Sequence, residues 1–459
     1  MSVVISNVHV VTVSGGDHPG GHIVVDGDRI TAVGAGSAPP IDGRDGETVH
    51  IDGSGCMATP GLVNTHHHLF QWASQGLAPD GDLYAWIEAS FPLWARMDAE
   101  VVADATSAGL GWLALSGCTT TADHHYLFPR GRGDLLAAAV RAADELGLRF
   151  HLARGFLDRQ LFPELPLGQL TEDAETILIE LKTAIDRYHD PSPGSRLRVA
   201  VAPCSPFTVS GDLLAQATDL ARGAGVRLHT HLAETLSERQ ECGRRFGLTP
   251  VRYADSIGWL GQDVWLAHCV QLEDGDLERL AATGTGIAHC PSSNARLGAG
   301  IARVCHLLEA GATVGLGVDG ASAELAPLAA EMRQALWLQR ARYGAPALTA
   351  RQALHMATLG GARCLGREAE LGSLEVGKLA DIALWRVDGF HAAIDDPVLA
   401  LTYGATPPLA RLLVGGRTVV ADGELVTVPH DGTARRGAAA HRRLAALADA
   451  PPPAPPRPP

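Results

Sequence analysis

PGLVNTHHHL, residues 60–69, is an apolar, strand-like run that ends in three consecutive histidines. Side chains two residues apart in an extended strand point the same way, so His66 and His68 share one face and His67 turns away from it. Two imidazoles on one face suit a borderline divalent metal such as zinc. The alternative is a histidine tract in a surface turn. Which of the two holds depends on the residues that the rest of the chain brings to this strand end.

Composition limits the function classes that this chain of 459 residues can serve. Hydrophobic residues make up 46% and charged residues 19%, which is typical of a globular protein with a large core. A net charge of -14 without a basic stripe argues against a nucleic-acid partner. No charged leader and no apolar run of about 18 residues is present, which predicts no membrane partner and a cytoplasmic location. Eight cysteines without a C-x-x-C pair predict reduced thiols.

Two kinds of sequence pattern along the chain predict the domain organisation. Short β-rich runs separated by glycine turns occupy residues 1–58 and return at 366–430, and they predict one β-sandwich made from both ends of the chain. Alternating helices and strands fill residues 59–365, which predicts an α/β fold, a (β/α)8 TIM-like barrel. Residues 431–459 are expected to form a C-terminal extension with a disordered proline-rich tail, Pro451 to Pro459. After the histidine run, we expect barrel strands at about 118–124, 148–154, 197–203, 226–231, 264–269, 285–290 and 312–319.

The ends of these predicted strands carry a set of metal-binding residue types. Strand five ends in HTHLAE (229–234), strand six in His268 and strand eight in Asp319. Because the carboxyl ends of barrel strands converge on one axis, these side chains are expected to meet His66 and His68. Histidines with one aspartate are an ordinary ligand set for zinc. The convergence favours a metal site over a surface tract.

The choice of ligand on strand five depends on position along the strand. His229 and His231 share a face, so the alternation alone allows both. His231 lies nearer the carboxyl end and three residues before Glu234, which makes it our predicted ligand. His229 is assigned to the core or to a layer that supports the ligands. The only two lysines, Lys182 and Lys378, lie outside the barrel strands, so a lysine-bridged pair of metals is not expected and a single metal is predicted.

Several motifs together resemble a known family. They are PGLVNTHHH (60–68), HLAE (231–234), AHC (267–269), HCPSSN (289–294) and VDG (318–320). In combination they resemble the amidohydrolase superfamily and, within it, the cytosine/guanine deaminase-like branch. The runs HHHLFQ (66–71), SGCTT (116–120) and APCSPF (202–207) are similar to those of the 8-oxoguanine deaminases in that branch. The resemblance extends over about residues 1–430.

The resemblance implies a mechanism and one Zn2+ (or Fe2+) per subunit. The metal would be held by His66, His68, His231 and Asp319 and would make hydroxide available near neutral pH. Asp319 would accept the proton of the water. Glu234 would protonate the ring nitrogen beside the attacked carbon, and His268 would stabilise the hydroxide and the developing oxyanion. The separate nucleic-acid deaminase signatures, H-x-E and P-C-x-x-C, do not occur in the chain.

Three further residues are candidates for contacts to a small heterocyclic amine. Gln71 and Trp86 follow strand one and are predicted to hydrogen-bond and stack on a flat ring, with a core position as the alternative for Trp86. Arg154 ends strand three and is predicted to meet a substrate carbonyl, with a surface salt bridge as the alternative.

Three functional hypotheses follow from the sequence. The first is deamination of 8-oxoguanine or a related oxidised purine, with release of ammonia. The second is an s-triazine or pterin amino- or chlorohydrolase on the same fold. The third is a non-catalytic scaffold on this fold, against which the complete ligand set argues. The resemblance also admits a homodimer.

Overall fold

The structure is a computed structural model that describes residues 2–40, 48–159, 170–320 and 326–449. The predicted proline-rich tail, Pro451 to Pro459, lies outside the described residues. No described helix is both long enough and apolar enough to cross a lipid bilayer. All eight cysteines are free thiols, as the sequence predicted.

The centre of the molecule is a closed barrel of eight parallel strands, which confirms the predicted fold class. Each strand forms where the sequence predicted it. In chain order the barrel strands are β6 (Leu62–Asn64), β7 (Cys118–His125), β8 (Arg149–Phe156), β9 (Leu197–Pro203), β10 (Arg227–Leu232), β11 (Val264–His268), β12 (Gly286–His289) and β13 (Thr313–Leu316). β13 pairs with β6 through Leu316 and Asn64, which closes the barrel.

Helices surround the barrel and connect its strands. Their bounds are α1 (Leu83–Trp94), α2 (Ala99–Leu115), α3 (Leu135–Leu146), α4 (Ala174–Tyr188), α5 (Gly211–Gly223), α6 (Leu236–Phe246), α7 (Pro250–Ser256), α8 (Asp274–Thr283), α9 (Pro291–Arg296), α10 (Val304–Glu309), α11 (Leu328–Tyr343), α12 (Ala350–His355), α13 (Gly361–Cys364), α14 (Val398–Tyr403) and α15 (His430–Asp449). Shorter helical turns lie at Leu69–Ser74, Met356–Gly360 and Gly389–His391. Aspartates begin several helices, because a carboxylate at this position accepts an otherwise unpaired backbone N–H; Asp82, Asp98 and Asp134 each do so.

Both ends of the chain build a second sheet beside the barrel. Its nine strands are β1 (Ser2–Val10), β2 (His18–Asp26), β3 (Arg29–Gly34), β4 (Thr48–Asp52), β5 (Cys56–Pro60), β14 (Ile382–Arg386), β15 (Leu409–Val414), β16 (Arg417–Ala421) and β17 (Glu424–Leu425). The two ends join where β14 pairs antiparallel with β5. Hydrogen bonds therefore connect the predicted sandwich segments into one sheet, and β5 runs across the predicted boundary at residue 58. The other predicted boundaries stay a prediction.

Alternation along the barrel strands separates two cores. One set of positions packs against the helices, for example Phe150, Leu152 and Leu228. The other set faces the barrel interior and consists mostly of small residues: Val63, Ala122, Ala153, Ala200, Ala202, Trp265, Ala267 and Ala288, with Cys364 and Leu365 from the segment after β13. Small side chains leave room at both ends of the barrel for longer polar ones.

The predicted C-terminal extension begins with a long helix that docks on the barrel. On α15, Arg443 pairs with Asp98 at 2.8 Å and Arg436 with Asp104 at 2.6 Å, so the helix lies along α2. His441 Nδ1 lies 2.9 Å from the carbonyl oxygen of Ala73, in the turn that follows the three histidines. The helix thus supports a segment next to the carboxyl ends of the barrel strands.

Candidate active site

Four strand ends meet at the mouth, by which we mean the carboxyl ends of the barrel strands. His66 and His68 follow β6, His231 lies in β10, His268 ends β11 and Asp319 follows β13. The backbone N–H of Asp319 donates to the carbonyl of His66 at 3.0 Å, which ties the last strand end to the first. The φ angles of His268 and Asp319 are 73° and 70°, in the left-handed region that such residues rarely adopt. Backbone strain of this kind clusters at functional sites.

Hydrogen bonds to backbone carbonyls determine which ring nitrogens of the histidines carry protons. His68 Nδ1 lies 2.6 Å from the carbonyl oxygen of His124, and His231 Nδ1 lies 2.5 Å from that of Cys204. A carbonyl only accepts, so both Nδ1 atoms donate and each neutral ring presents its Nε2 lone pair. These two Nε2 atoms are 3.0 Å apart. Two lone pairs at this distance repel each other unless a cation lies against both.

His66 is oriented by a chain of two hydrogen bonds. The Nδ1 of His229 lies 2.9 Å from the carbonyl oxygen of Trp265, so this nitrogen donates and the Nε2 of His229 accepts. His66 Nδ1 lies 2.8 Å from that acceptor, which leaves the Nε2 of His66 with its lone pair. His66 Nε2 has no hydrogen-bond partner among the described residues. His229 therefore supports a proposed ligand, His66, which agrees with one of the two roles that the sequence left open for it.

The donor set fits a divalent metal. Oδ1 of Asp319 lies 3.4 Å from His66 Nε2 and 3.3 Å from His68 Nε2. Ring nitrogens of His66, His68, His124 and His231 all lie within 4.8 Å of one another, as do donor atoms of His66, His268 and Asp319. Burial lowers the pKa of His66 and of His231 well below the usual value, which keeps both rings neutral. Neutral imidazoles with one carboxylate are the ligands that zinc prefers.

Glu234 and His268 face each other beside this donor set. Glu234 Oε2 lies 3.8 Å from His268 Nε2, and both residues are buried. Burial raises the pKa of Glu234 to about 7. Burial alone would lower the pKa of His268, but the carboxylates of Glu234 and Asp319 outweigh it and raise that pKa. The pair therefore holds a proton near neutral pH, as a site for acid–base chemistry requires.

Helix α9 holds both Asp319 and His268 from behind. Ser293 Oγ donates to Asp319 Oδ2 at 2.5 Å, and His268 Nδ1 lies 2.9 Å from Asn294 Oδ1. The helix is held in turn by Glu331 on α11, whose Oε2 accepts the backbone N–H of Ser292 at 3.0 Å. The motif HCPSSN, quoted above for its resemblance, thus supplies side chains that orient the site.

A cavity opens from these residues toward solvent. Gln71 and Trp86, the two residues predicted to contact a small molecule, both line it, and the contact itself stays a prediction. Gln71 is buried and its Nε2 donates to the hydroxyl of Tyr126 at 3.2 Å. Most of the wall is apolar or aromatic: Leu83, Trp86, Ile87 and Phe91 from α1, with Tyr126, Leu157, Phe207 and Leu297. Its polar groups include Gln71, Glu234, His268 and Asp319.

Arg154 lies elsewhere in the structure. Its guanidinium forms two hydrogen bonds to the carboxylate of Glu172, at 2.8 and 3.2 Å, and stacks 4.1 Å from the centre of the Phe128 ring. The described lining of the cavity does not include it. The structure thus contains the salt bridge of the alternative prediction, but the pair is largely buried and not at the surface. A contact between Arg154 and substrate stays a prediction without geometric support.

The sequence missed several residues of the wall. Tyr126 directly follows the second barrel strand, so its position at a strand end was a usable signal. Leu83, Ile87 and Phe91 lie on a helix in the long connection after β6, where apolar residues at helical spacing indicate only a buried face.

Comparisons with known proteins agree with this geometry. The model of the Amidohydrolase family matches residues 57–426. The chain is 44% identical to an 8-oxoguanine deaminase of Pseudomonas aeruginosa, over 90% of this chain and 92% of that protein. It is 37% identical to an isoxanthopterin deaminase of an unknown prokaryotic organism, over 88% of each chain. The crystal structure of an atrazine chlorohydrolase from Arthrobacter aurescens complexed with zinc superposes with a TM-score of 0.89 at 30% identity, covering 96% of this chain and 100% of that one.

Proposed function

Because the chain belongs to the amidohydrolase family, we propose that it is a metal-dependent hydrolytic deaminase of an aromatic heterocycle, namely 8-oxoguanine or a related oxidised purine. The observation that carries this proposal is Glu234. It is a buried acid on the cavity wall whose pKa is about 7, beside a complete metal donor set. A carboxyl that is partly protonated at neutral pH is suited to donate a proton to a ring nitrogen.

One Zn2+ or Fe2+ per subunit would be held by His66, His68, His231 and Asp319. Bound there, such a metal would supply a water molecule of lowered pKa, and so a nucleophile near neutral pH. His229 keeps the proton of His66 on Nδ1, so the Nε2 lone pair stays available to the metal.

The residues of the chain move the protons. Asp319 accepts a proton from water while Ser293 holds its other oxygen at 2.5 Å. Glu234 donates a proton to the ring nitrogen next to the attacked carbon. His268 keeps its Nδ1 on Asn294, and we assign the Nε2–H of its protonated form to stabilising the developing oxyanion. The water oxygen forms a bond to the attacked carbon. The proton taken up by Asp319 then passes to the amino group, the C–N bond breaks and ammonia leaves. The remaining proton of the water returns to Glu234 as the carbonyl of the product forms.

The cavity supports a flat, polar-edged substrate. The aromatic and apolar wall favours an unsaturated ring, and we assign the contact with its face to Trp86, which lines this wall. Gln71 contributes an amide that both donates and accepts hydrogen bonds, which matches the alternating donors and acceptors on the edge of an oxidised purine. The 44% identity to an 8-oxoguanine deaminase favours that substrate within the class.

An s-triazine or pterin is the second candidate substrate class. It is favoured by the similarity to the zinc-complexed atrazine chlorohydrolase and to the isoxanthopterin deaminase. The same ligand set and the same acid would serve these reactions, so the leaving group distinguishes them. A non-catalytic scaffold has no support from the donor set, which is complete.

The test is release of ammonia by full-length, zinc-loaded protein from a panel of 8-oxoguanine, guanine, isoxanthopterin, cytosine and aminotriazines. We expect the highest kcat/KM with 8-oxoguanine, and Glu234→Gln should lose activity while it keeps its metal. Faster release of chloride or an alkylamine from a triazine would favour the second class. No turnover of any of these compounds by metal-loaded protein would contradict the proposal.

Location and assembly complete the proposal. We place the enzyme in the cytoplasm, which the free thiols of all eight cysteines support. A homodimer stays a prediction that the resemblance suggests.

A further inference from the structure

The opposite end of the barrel carries a second polar cluster, which we call the floor: His151 and Arg367, which are buried, and Arg198 and Arg227, which are partly buried. His151 and Arg198 are paired in register on β8 and β9, and Arg227 is paired with Ala200. By alternation these three side chains lie on the same strand faces as Ala153, Ala200 and Ala202, which line the barrel interior. The amino ends of the strands therefore direct one imidazole and two guanidinium groups inward.

Arg367 is the member of the floor that does not come from a barrel strand. It follows α13 directly after Cys364 and Leu365, which pack inside the barrel. Its side chain is completely buried; Nε donates to Glu370 Oε2 at 2.7 Å and Nη2 to the carbonyl of Ser195 at 3.1 Å. Its Nη1 has no hydrogen-bond partner among the described residues.

Arg227 lies beside Arg367 without an acidic partner. A Cβ atom on Gly366 would lie 2.7 Å from Arg227 Nη1, so this guanidinium packs against the backbone immediately before Arg367. Within the described part of the chain Arg227 forms no ion pair with any carboxylate. Its Nε, buried from solvent, has no hydrogen-bond partner there either.

Among the described residues, a single carboxylate forms ion pairs with the floor. Glu370 is shared, because its Oε2 lies 2.7 Å from Arg367 Nε and 3.5 Å from Arg198 Nη2. No other described carboxylate forms an ion pair with Arg198, Arg227 or Arg367, although the charges of Glu368 and Asp263 act on Arg227, and that of Asp190 on Arg198, at longer range. Arg149 nearby differs, because Asp381 binds it with two hydrogen bonds at 2.8 and 3.0 Å.

The pKa of His151 is affected by the positive charges of the floor. It is buried, and its Nε2 has no hydrogen-bond partner among the described residues. Burial and the charges of Arg367, Arg198 and Arg227 lower the pKa of His151 well below the usual value, so the ring stays neutral. Burial lowers the pKa of Arg367 to about 10, which still leaves that side chain charged near pH 7.

Buried charges in proteins are paired, because an unpaired ion loses its hydration without compensation. A guanidinium does not escape this cost by losing its proton near neutral pH. We propose that the floor binds a small inorganic anion between the guanidinium groups of Arg198, Arg227 and Arg367. Planar N–H donors around a shared centre are the arrangement that proteins use for such anions. The part of Arg198 and Arg227 that remains solvent-accessible provides the route of entry.

The test measures thermal unfolding of the full-length, metal-loaded protein at constant ionic strength, with sodium chloride or sodium phosphate replacing sodium gluconate. We expect the midpoint to rise with chloride or phosphate, because a ligand that binds only the native state stabilises it. A response to chloride alone identifies a halide-sized site, and a response to phosphate identifies an oxyanion site. Crystals soaked in sodium bromide or sodium arsenate should show anomalous density in contact with the three guanidinium groups.

Matched variants make the test specific. Arg227→Met should raise the anion concentration needed for half of the stabilisation by at least about tenfold, the effect of losing one charged hydrogen-bonding group. Arg222→Met removes an exposed arginine that pairs with Asp263 and should respond like the wild type. Metal content should be equal in all three proteins, which separates this result from the proposed deaminase activity. Equal anion responses of Arg227→Met and wild type, or no response of the wild type, would overturn the proposal.

Discussion

The carboxyl ends of the barrel strands bury imidazole nitrogens, whereas the amino ends of the same strands hold guanidinium groups that are buried or partly buried. A layer of small residues around Ala153, Ala200 and Trp265 separates the two ends. At the mouth, the Nδ1 atoms of His68 and His231 donate to backbone carbonyls, so the lone pairs of their Nε2 atoms point toward each other. At the floor, N–H donors converge instead. The same barrel geometry therefore provides the proposed cation site at one end and the proposed anion site at the other. The difference is that the mouth offers nitrogen lone pairs and the floor offers N–H donors.

Burial acts on the charges at the two ends with opposite results. At the mouth it raises the pKa of Glu234 and of Glu331 to about 7, so these acids can take up a proton and become neutral. At the floor it lowers the pKa of Arg367, which still keeps its proton near neutral pH. An acid can adapt to burial by changing its protonation state, but an arginine needs a counter-charge.

The largest expected effect separates the two ends by metal content. His231→Ala removes one of the proposed ligands and should reduce bound zinc from about one per chain to a small fraction, because three remaining donors no longer close the coordination shell. Arg227→Met, at the floor, should keep the wild-type amount. Elemental analysis of the purified, folded variants measures both. Retention of stoichiometric zinc in His231→Ala would show that the metal is held by other residues.

The next effect separates chemistry from metal binding at the mouth. Glu234→Gln keeps the shape of the side chain but cannot release a proton, so kcat should fall by about 10²–10⁴-fold, the usual contribution of a general acid. Bound metal should not change. Steady-state ammonia release measures kcat, with Glu278→Gln, an exposed residue on α8, as the matched control. A change in KM alone would assign Glu234 to substrate binding instead of proton transfer.

A smaller effect tests the hydrogen-bond chain behind His66. His229→Leu removes the acceptor for His66 Nδ1 and should weaken metal binding by about 10–100-fold, as loss of a partner behind a metal ligand does. His229→Gln offers an amide oxygen to His66 and an amide N–H to the carbonyl of Trp265, so it should restore most of the affinity. Competition with a chelator measures the metal dissociation constant.

The control for this prediction lies at the other end of the barrel. His151→Leu also replaces a buried histidine of an interior strand face, but it contacts no proposed ligand, so the metal affinity should match the wild type. Equal weakening in His229→Leu and His151→Leu would mean that the effect comes from general loss of packing.

The smallest effect is a pH dependence of stability from Glu331. Burial raises its pKa in the folded protein to about 7, above the ordinary value of 4.5. The folded protein therefore binds this proton more tightly than the unfolded chain, and the associated stability is present below about pH 4.5 and is lost as the pH rises through about 7. Glu331→Gln lacks this proton equilibrium and keeps an acceptor for Ser292. From pH 5 to pH 8 its stability relative to wild type should improve by on the order of 1 kcal/mol, once relaxation of the site is allowed for.

Urea unfolding of metal-loaded protein at the two pH values measures this difference. The pH dependence of metal binding affects both proteins alike and cancels in the comparison. Glu278→Gln should show no change with pH relative to wild type. A constant difference between Glu331→Gln and wild type would indicate that Glu331 is ionised throughout.

Part of the site followed from local pattern. Each barrel strand was predictable because it is a short apolar run between helical segments, and each proposed ligand stands at or just beyond the end of such a run. Alternation placed His66 and His68 on one face without any knowledge of their neighbours. The same rule applied to the amino ends of β9 and β10 points Arg198 and Arg227 inward, although nothing in the sequence indicates that Arg367 meets them.

Other residues depended on segments far apart in the chain. Arg154 stands at a strand end just as the ligands do, yet Glu172, 18 positions later, binds its guanidinium. Trp86 lines the cavity because α1 folds over the mouth, and the helical pattern of α1 alone shows only that one face is buried.

The sequence by itself determined the α/β barrel, the strand ends that carry histidine, glutamate and aspartate, and the faces on which they lie. The tertiary structure decided which nitrogen of each histidine bears its proton, which arginine has a carboxylate partner and which helix forms the cavity wall. Strand alternation is a local, periodic property that a few consecutive residues reveal. Hydrogen-bond partners and counter-charges come from distant segments, and only packing brings them together.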